Sequence, residues 1–340
     1  MNEQPVVITR HLSKHYGDFV ALDQLSITVD RGHILGFIGP NGAGKTTMIK
    51  ILVGLTRPTS GSASIAGADC ATESRRIHSL VGYMPDIFAS YDNMRVREYL
   101  DFFGAAFRIP PKARLQRIDE VLETTGSAHM QDLQLESLSH GMKQRIGIAR
   151  TLMHDPQVLI LDEPANGLDP QARIEMRQLL LQLARMGKTL ILTSHILPEL
   201  ARICDTVAIV THGRLRAFGT LNEIMQRVSQ RRMVEVQLTN PQQVETMVRL
   251  LRGRLEEGAE INPSPAEAEV RFASNADDDE LAAILRIAVQ EGIGVSQFHE
   301  VSLDLEDAFL SVAGQNHANH QVEDQAWPDT KNTKFGTEKE

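Results

Sequence analysis

The chain is short of what several protein classes need. Its 340 residues hold only two cysteines, Cys70 and Cys204, far apart and in no metal-binding or redox pattern. Two buried thiols in a reducing compartment are the expectation that is left. No run approaches the roughly 18 consecutive apolar residues that a membrane span requires. The opening Met1-Asn2-Glu3-Gln4-Pro5 has neither the basic nor the apolar region of a signal peptide. A membrane role would therefore be exercised from the cytoplasmic side, through a partner. Positive charge is also lacking: the net charge is −9, which excludes a global basic footprint for nucleic acid and leaves only a local patch open. The single tryptophan, Trp327, lies in a polar stretch and is no argument for a core. The rest is ordinary for a soluble globular chain, with 42% hydrophobic and 23% charged residues. The length allows one large domain plus a smaller one, or two of similar size.

What is present starts with Gly39-Pro40-Asn41-Gly42-Ala43-Gly44-Lys45-Thr46-Thr47, which fits G-x-x-x-x-G-K-[ST] without a mismatch. The apolar run His33–Ile38 before it reads as a buried strand, and Thr46–Leu52 after it reads as a helix. In that context the glycines let the backbone wrap around phosphates, and N–H groups at the helix start point inward at them. Lys45 would place a cation on the β/γ-phosphates and Thr46 would offer its hydroxyl to Mg²⁺. The plainer alternative is a Gly-rich turn before an ordinary helix. The strand–loop–helix setting argues against it.

The pattern along the chain predicts an α/β fold. Strands are expected at Val6–Thr9, Leu25–Val29, Ser62–Ala66 and Leu80–Met84, the last ended by Pro85. Residues 94–154 read as helical. Tyr99, Phe102, Phe103 and Ala106 fall at helical spacing before the Pro110-Pro111 break, and that stripe predicts core positions for the three aromatics. A second helix is expected over 112–125, and a third after Ser139, which is placed to cap it. Strands return at Gln157–Leu161, Thr189–Thr193 and Thr206–Val210, with a helix over Gln171–Met186. Such alternation predicts a largely parallel sheet covered on both faces, with the helical block as an insertion.

From about Arg231 the pattern restarts. It predicts strand 233–238, helix 241–252, strands 255–261 and 268–273, helix 277–291 and strand 294–301. That order, βαββαβ, predicts a small ferredoxin-like α+β domain over 231–314. Asp277-Asp278-Asp279 reads either as a metal site or as the acid-rich first turn of a helix, favoured by the helix dipole. Residues 315–340 are polar and aperiodic and read as a disordered tail.

A phosphate loop alone signals a nucleotide and not hydrolysis. The apolar strand Leu159-Ile160-Leu161 ends in Asp162-Glu163-Pro164. Asp162 is placed to hold Mg²⁺ directly or through water, and Glu163 to orient an attacking water and accept its proton. The alternative is a solvated acidic turn. His195 follows the strand 189–193, at the end where open α/β sheets bind ligands, and there it would reach a γ-phosphate oxygen.

Taken in order, these residues resemble the nucleotide-binding subunit of ATP-binding cassette (ABC) transporters, over residues 5–230. Tyr16 matches the aromatic that stacks on adenine, Gly39–Thr47 the Walker A loop, and Val158–Glu163 the Walker B strand with its catalytic glutamate. Leu138-Ser139-His140-Gly141-Met142-Lys143-Gln144-Arg145 matches the signature segment, Gly167-Leu168-Asp169-Pro170 the D-loop, and His195 the switch histidine. The resemblance implies a P-loop NTPase fold in residues 1–230: a RecA-like parallel core, an antiparallel β subdomain and a helical subdomain over about 88–154. It implies ATP and Mg²⁺ as cofactors and ATP hydrolysis as the reaction. Lys45, Glu163, His195 and Asp169 would be catalytic. Tyr16, Gly39 to Thr47, Ser139, His140 and Gly141 would bind nucleotide. Thr46, Asp86 and Asp162 would face the metal. It also implies a composite site, with Lys45 and Glu163 from one subunit of a homodimer or heterodimer and Ser139 and Gly141 from the other. The single cassette, Phe218-Gly219-Thr220-Leu221 and the C-terminal Ser302–Leu310 resemble ATPases paired with ABC-2-type exporter permeases at the cytoplasmic membrane face.

Two positions depart from the family pattern. Asp86 stands where the family carries glutamine, and would either bind Mg²⁺ more strongly or repel a γ-phosphate that lacks it. His140 replaces the first signature glycine, and either points away or donates to phosphate. Loop aromatics Phe88 and Tyr91 are candidates for a groove that receives a permease helix. Two other readings stay open: a soluble ABC-type ATPase of ribosomes or DNA, and an ATP-gated regulatory module with weak hydrolysis.

Overall fold

The computed structural model describes residues 5–86, 93–194, 200, 202–228, 232–255, 259 and 261–301. His195, Phe88, Tyr91, the segment Ser302–Leu310, the expected tail over 315–340 and Trp327 lie outside the described residues.

The phosphate-loop strand Ile34–Ile38 is buried at every position because it sits between two apolar layers. Ile34 and Ile38 face a core shared with the helical block, while Leu35 and Phe37 face a core shared with an antiparallel sheet. A strand covered on both faces gains no advantage from polar alternation, which is why it reads as a continuous apolar run. It lies inside a six-stranded sheet ordered Arg214–Gly219, Thr206–Thr211, Ile34–Ile38, Thr189–Ser194, Val158–Leu161 and Val81–Met84. All neighbours are parallel except the edge strand Arg214–Gly219, which pairs antiparallel. Two strands that carry candidate chemistry, Val158–Leu161 and Thr189–Ser194, are thereby held side by side.

A five-stranded antiparallel sheet built on Pro5–Tyr16 covers one side. The single strand expected over Leu25–Val29 is instead divided into Phe19–Leu25 and Thr28–Asp30. Between them the Ile27 N–H donates to the Thr9 hydroxyl at 2.9 Å and Ser26 Oγ accepts from the His11 N–H at 2.8 Å, side-chain bonds that interrupt the backbone ladder. The strand expected at Ser62–Ala66 runs Ser60–Ile65, and Ala66 leaves it at φ 47°.

The helical block holds helices Val96–Ala106, Pro111–Thr124 and His140–Leu152 around fully buried Tyr99, Ile118 and Ile146. Ser139 caps the third helix as expected, its Oγ accepting from the Met142 N–H at 3.3 Å. Phe102 departs from the core reading. It remains 47% exposed while Tyr99 is fully buried and Phe103 half-buried, because the helix offers the core a stripe narrower than three aromatics.

His154, just beyond that helix, gives the block a pH-sensitive element. Its Nε2 donates to the Val81 carbonyl at 3.0 Å, its ring stacks on Phe107 with centroids 4.0 Å apart, and Nδ1 has no partner among the described residues. Burial holds the imidazole below its ordinary value, with the cations of Arg117 and Lys188 adding to the effect. A histidine depressed in the folded state takes its proton first in the unfolded state. Its contribution is therefore complete above about pH 6.5 and declines as pH falls below that. The urea midpoint is expected to drop more between about pH 7.5 and about pH 5.5 in the wild type than in His154→Asn. Parallel pH slopes would remove His154 from the acid response.

The chain beyond Arg231 has its own core, around Val234, Val236, Met247, Val270, Phe272 and Ile284. Its elements run strand Arg232–Leu238, helix Val244–Arg252, strands Ile261–Ser264 and Glu269–Ser274, helix Asp278–Gln290 and strand Val295–Val301. The four strands form an antiparallel sheet in which chain order 1-2-3-4 becomes spatial order 2-3-1-4. The strand expected over 255–261 is displaced to Ile261–Ser264. Leu255 instead closes the preceding helix end, its N–H donating to Leu251 at 2.9 Å, and packs into the same core. Asp277 caps the last helix, with Glu280 reaching back to complete a capping box. Among the described residues there is no cluster of three acidic, histidine or cysteine side chains able to hold a metal, so the acid-rich first turn is the reading that fits.

Candidate active site

The phosphate loop is shaped by its glycines and by the wall behind it. Gly44 ends the loop at φ 104°, and a Cβ there would come within 2.6 Å of the Ala21 carbonyl oxygen. No other residue type satisfies both conditions. The loop therefore rests against the strand Phe19–Leu25, and the Gly213 N–H braces it by donating to Ala43 at 3.0 Å. Helix Lys45–Leu52 starts with no side-chain cap, so its first N–H groups stay available to an anion. Thr46 is exposed at that start, and Thr47 is half-buried behind it.

Three charged side chains converge at the mouth of the loop. Lys45 Nζ donates to the Gly39 carbonyl at 2.6 Å and to Pro40 at 3.3 Å, and lies 3.9 Å from Glu163 Oε1. Burial pulls the Lys45 pKa down, against the opposing charges of Glu163 and Asp162. Asp162, 8% exposed, is pushed up by burial first and by the Asp86 charge in addition, while a bond from Thr193 and the Lys45 cation pull it back. A desolvated carboxylate, Asp162, held near the charge of the exposed Asp86 is a poor arrangement alone and a good one for a hard cation. The donors here, the Thr46 hydroxyl and the Asp162 and Asp86 carboxylates, are all oxygens. Such a set suits Mg²⁺, which takes one or two carboxylates and fills the remaining positions with water and phosphate oxygens. The residues present fit that ion.

Sequence reasoning missed Thr193. Its hydroxyl donates to Asp162 Oδ1 at 2.5 Å and accepts from the Glu163 N–H at 3.0 Å. One buried side chain on a neighbouring strand thus fixes both acidic residues. Glu163 holds a left-handed φ of 51°, a backbone state that persists only where its surroundings impose it. The available signal was a hydroxyl at the carboxyl end of the otherwise apolar strand Leu190-Ile191-Leu192-Thr193.

The remaining predicted residues fall into two groups. Tyr16 ends strand Pro5–Tyr16, pairs with Phe19 across the hairpin and is 48% exposed, with Lys14 Nζ 5.0 Å from its ring centroid. The loop rests on that hairpin's second strand, at Ala21 and Leu22. Ser139, His140 and Gly141 instead line a cavity of about 360 Å³ with Gly167, Leu168 and Asp169. Asp169 caps the helix Pro170–Arg185, accepting from the Ala172 N–H at 2.9 Å. Among the described residues, none of these bonds to Lys45 or to the phosphate loop. The structure therefore presents two separate clusters of candidate residues on one chain.

The parallel sheet, the strand–loop–helix unit and the acidic strand end define a P-loop NTPase domain. The ABC transporter family model matches residues 22–166. The Nod factor export ATP-binding protein I of Ralstonia nicotianae is 33% identical over 313 residues, covering 92% of this chain and 94% of that protein. The probable multidrug ABC transporter ATP-binding protein YbhF of Escherichia coli is 36% identical over 221 residues, covering 65% of this chain and 38% of that protein. Among solved structures, cbiO1 of Clostridium perfringens, part of the ABC transporter complex cbiONQ, superposes with a TM-score of 0.60 at 27% identity, covering 67% of this chain and 95% of that one. The chain belongs to the ABC transporter ATP-binding proteins.

Proposed function

We propose that the chain is the ATP-hydrolysing subunit of an exporter, working as a dimer at the cytoplasmic face of a membrane through a separate ABC-2-type permease. The observation that carries this reading is the meeting of Lys45, Asp162 and Glu163 at the mouth of one phosphate loop. Tyr16 stacks the base, the loop N–H groups and Lys45 grip the phosphates, and Glu163 takes the proton from the attacking water. Thr46, Asp162 and Asp86 would hold Mg²⁺, which when bound neutralises phosphate charge. Ser139 and Gly141 meet the partner's nucleotide, so closing the dimer completes two equivalent sites. ATP drives the cycle through its differential affinity for the closed state.

Export is supported by the printed function of the Ralstonia relative, whose likeness extends through the C-terminal unit. A permease is supported by a groove of about 290 Å³ lined by Leu55, Tyr83, Phe103, Phe107, Arg150 and His154. Leu55, 63% exposed, and Phe107, 38% exposed, give it an apolar rim. No helix of the described residues is long and apolar enough to cross a membrane. Tagged chain extracted from its own host's membranes is expected to carry a polytopic membrane protein with it, and Leu55→Asp with Phe107→Asp to lose it. Recovery with ribosomes would point to a soluble ABC-type ATPase. Tight ATP-dependent dimers without turnover would point to the regulatory module.

A further inference from the structure

Both departures from the family pattern end on one residue. His140 Nε2 lies 2.9 Å from the Asn166 carbonyl oxygen. A carbonyl can only accept, so the imidazole carries its proton at Nε2. The Asn166 side-chain Nδ2 donates to Asp86 Oδ1 at 3.5 Å, the outer limit of a hydrogen bond. Asn166 is thus held, at its backbone carbonyl and at its side-chain amide, by the two residues that stand in place of the usual glycine and glutamine.

The surrounding geometry makes this contact a joint. The Asn166 N–H donates to the Glu163 carbonyl at 3.0 Å, so its turn closes on the residue that carries the base. Gly167 has a φ of 68°, and a Cβ there would sit 3.4 Å from His140 Nε2, so the imidazole lies flush against the loop. A Cβ on Gly141 would stand 3.5 Å from Ala172 and 3.6 Å from Leu168, which seats the start of the signature helix on the far end of the same loop. A glycine at 140 has no side chain with which to reach Asn166.

We propose that Asn166 is a positioning residue, clasped by His140 and Asp86, that couples the two half-sites of one chain. One half, Asp86 with Asp162 and Glu163, serves the chain's own nucleotide and its metal. The other, Ser139 to Gly141, serves the nucleotide of the partner. The inference rests on the dimer reading above. When the signature helix moves toward the partner's nucleotide, His140 draws on the Asn166 peptide, and the Asn166 amide carries the shift to Asp86. Coupling of this kind is reciprocal, so metal capture in one site also biases signature engagement in the other.

The test is the Mg²⁺ dependence of binding a fluorescent ATP analogue to the full-length protein, which needs no turnover. His140→Gly is expected to raise the Mg²⁺ concentration for half-maximal binding by at least about threefold, although residue 140 belongs to the other half-site. Asn166→Ala should do the same, and the double variant should add nothing further. His140→Gln keeps an N–H donor and should restore the wild-type midpoint. If the glycine and glutamine variants behave alike, or the double effect equals the product of the single effects, the clasp is refuted. If His140→Gly fails to fold, Asn166→Ala against His140→Gln decides the matter. A wild type without Mg-ATPase would defeat the proposed hydrolysis and leave this measurement readable.

Discussion

Glu163→Gln is expected to lower ATP turnover by about a hundredfold to ten-thousandfold while leaving ATP bound, the range that a positioned general base contributes. The amide matches the carboxylate in size and keeps the left-handed turn, since the backbone N–H still donates to Thr193. It cannot accept a proton from water. The substitution also removes a negative charge 3.9 Å from Lys45, where phosphate charge would be received, so affinity for ATP should hold or rise. Dimers should then accumulate with ATP trapped between them. Lys45→Ala separates the roles: it removes the cation that grips phosphate, so binding itself should fail. Phosphate release and fluorescent nucleotide binding, measured side by side, check both. A Glu163→Gln protein that turns over like the wild type would take the base assignment away from Glu163. A wild type no faster than Lys45→Ala would end the claim of hydrolysis.

The parts legible in the sequence were those set by local rules. Gly39 to Thr47 is a continuous segment whose residue types answer directly to backbone conformation and phosphate charge, so loop and helix start could be read in advance. Asp162 and Glu163 were legible because an apolar strand announces its own end. Ser139 announced a cap. What escaped depends on neighbours remote in sequence. Thr193 matters only because strands Val158–Leu161 and Thr189–Ser194 pair in parallel, which brings its hydroxyl to Asp162. Gly213 and Ala21 matter only because the turn between Thr206–Thr211 and Arg214–Gly219 and the strand Phe19–Leu25 both back the phosphate loop. Phe102 shared the helical spacing of Tyr99, and spacing alone cannot tell the centre of an apolar stripe from its margin. Leu255 was apolar in a stretch that read as strand, yet its burial is earned at a helix end. The meeting of His140 and Asp86 on Asn166 required two loops and a helix start to be folded together before it could be seen.

The other large effect concerns Thr193→Val, a substitution that preserves shape and deletes one hydroxyl. Thr193 is fully buried, and both bonds its hydroxyl makes go to protein groups. Asp162 loses a donor at 2.5 Å and the Glu163 N–H loses its acceptor at 3.0 Å. Leaving such groups unpaired costs about 1–3 kcal/mol, and for a protein of this size each kcal/mol lowers the melting temperature by about 2–4 °C. The chemical effect follows with a definite sign. Burial already raises the Asp162 pKa, and the Thr193 bond is the largest influence that opposes it. Without that bond the carboxyl is more readily protonated, so more Mg²⁺ is needed to displace the proton. The valine variant should therefore melt lower, require more Mg²⁺ for nucleotide binding and turn over slowly, because Glu163 no longer has a fixed backbone. Thr193→Ser restores the hydroxyl without the methyl and should recover the Mg²⁺ requirement. Thermal melting and Mg²⁺ titration of the three proteins decide it: if valine and threonine coincide in both, the hydroxyl holds neither acid in place.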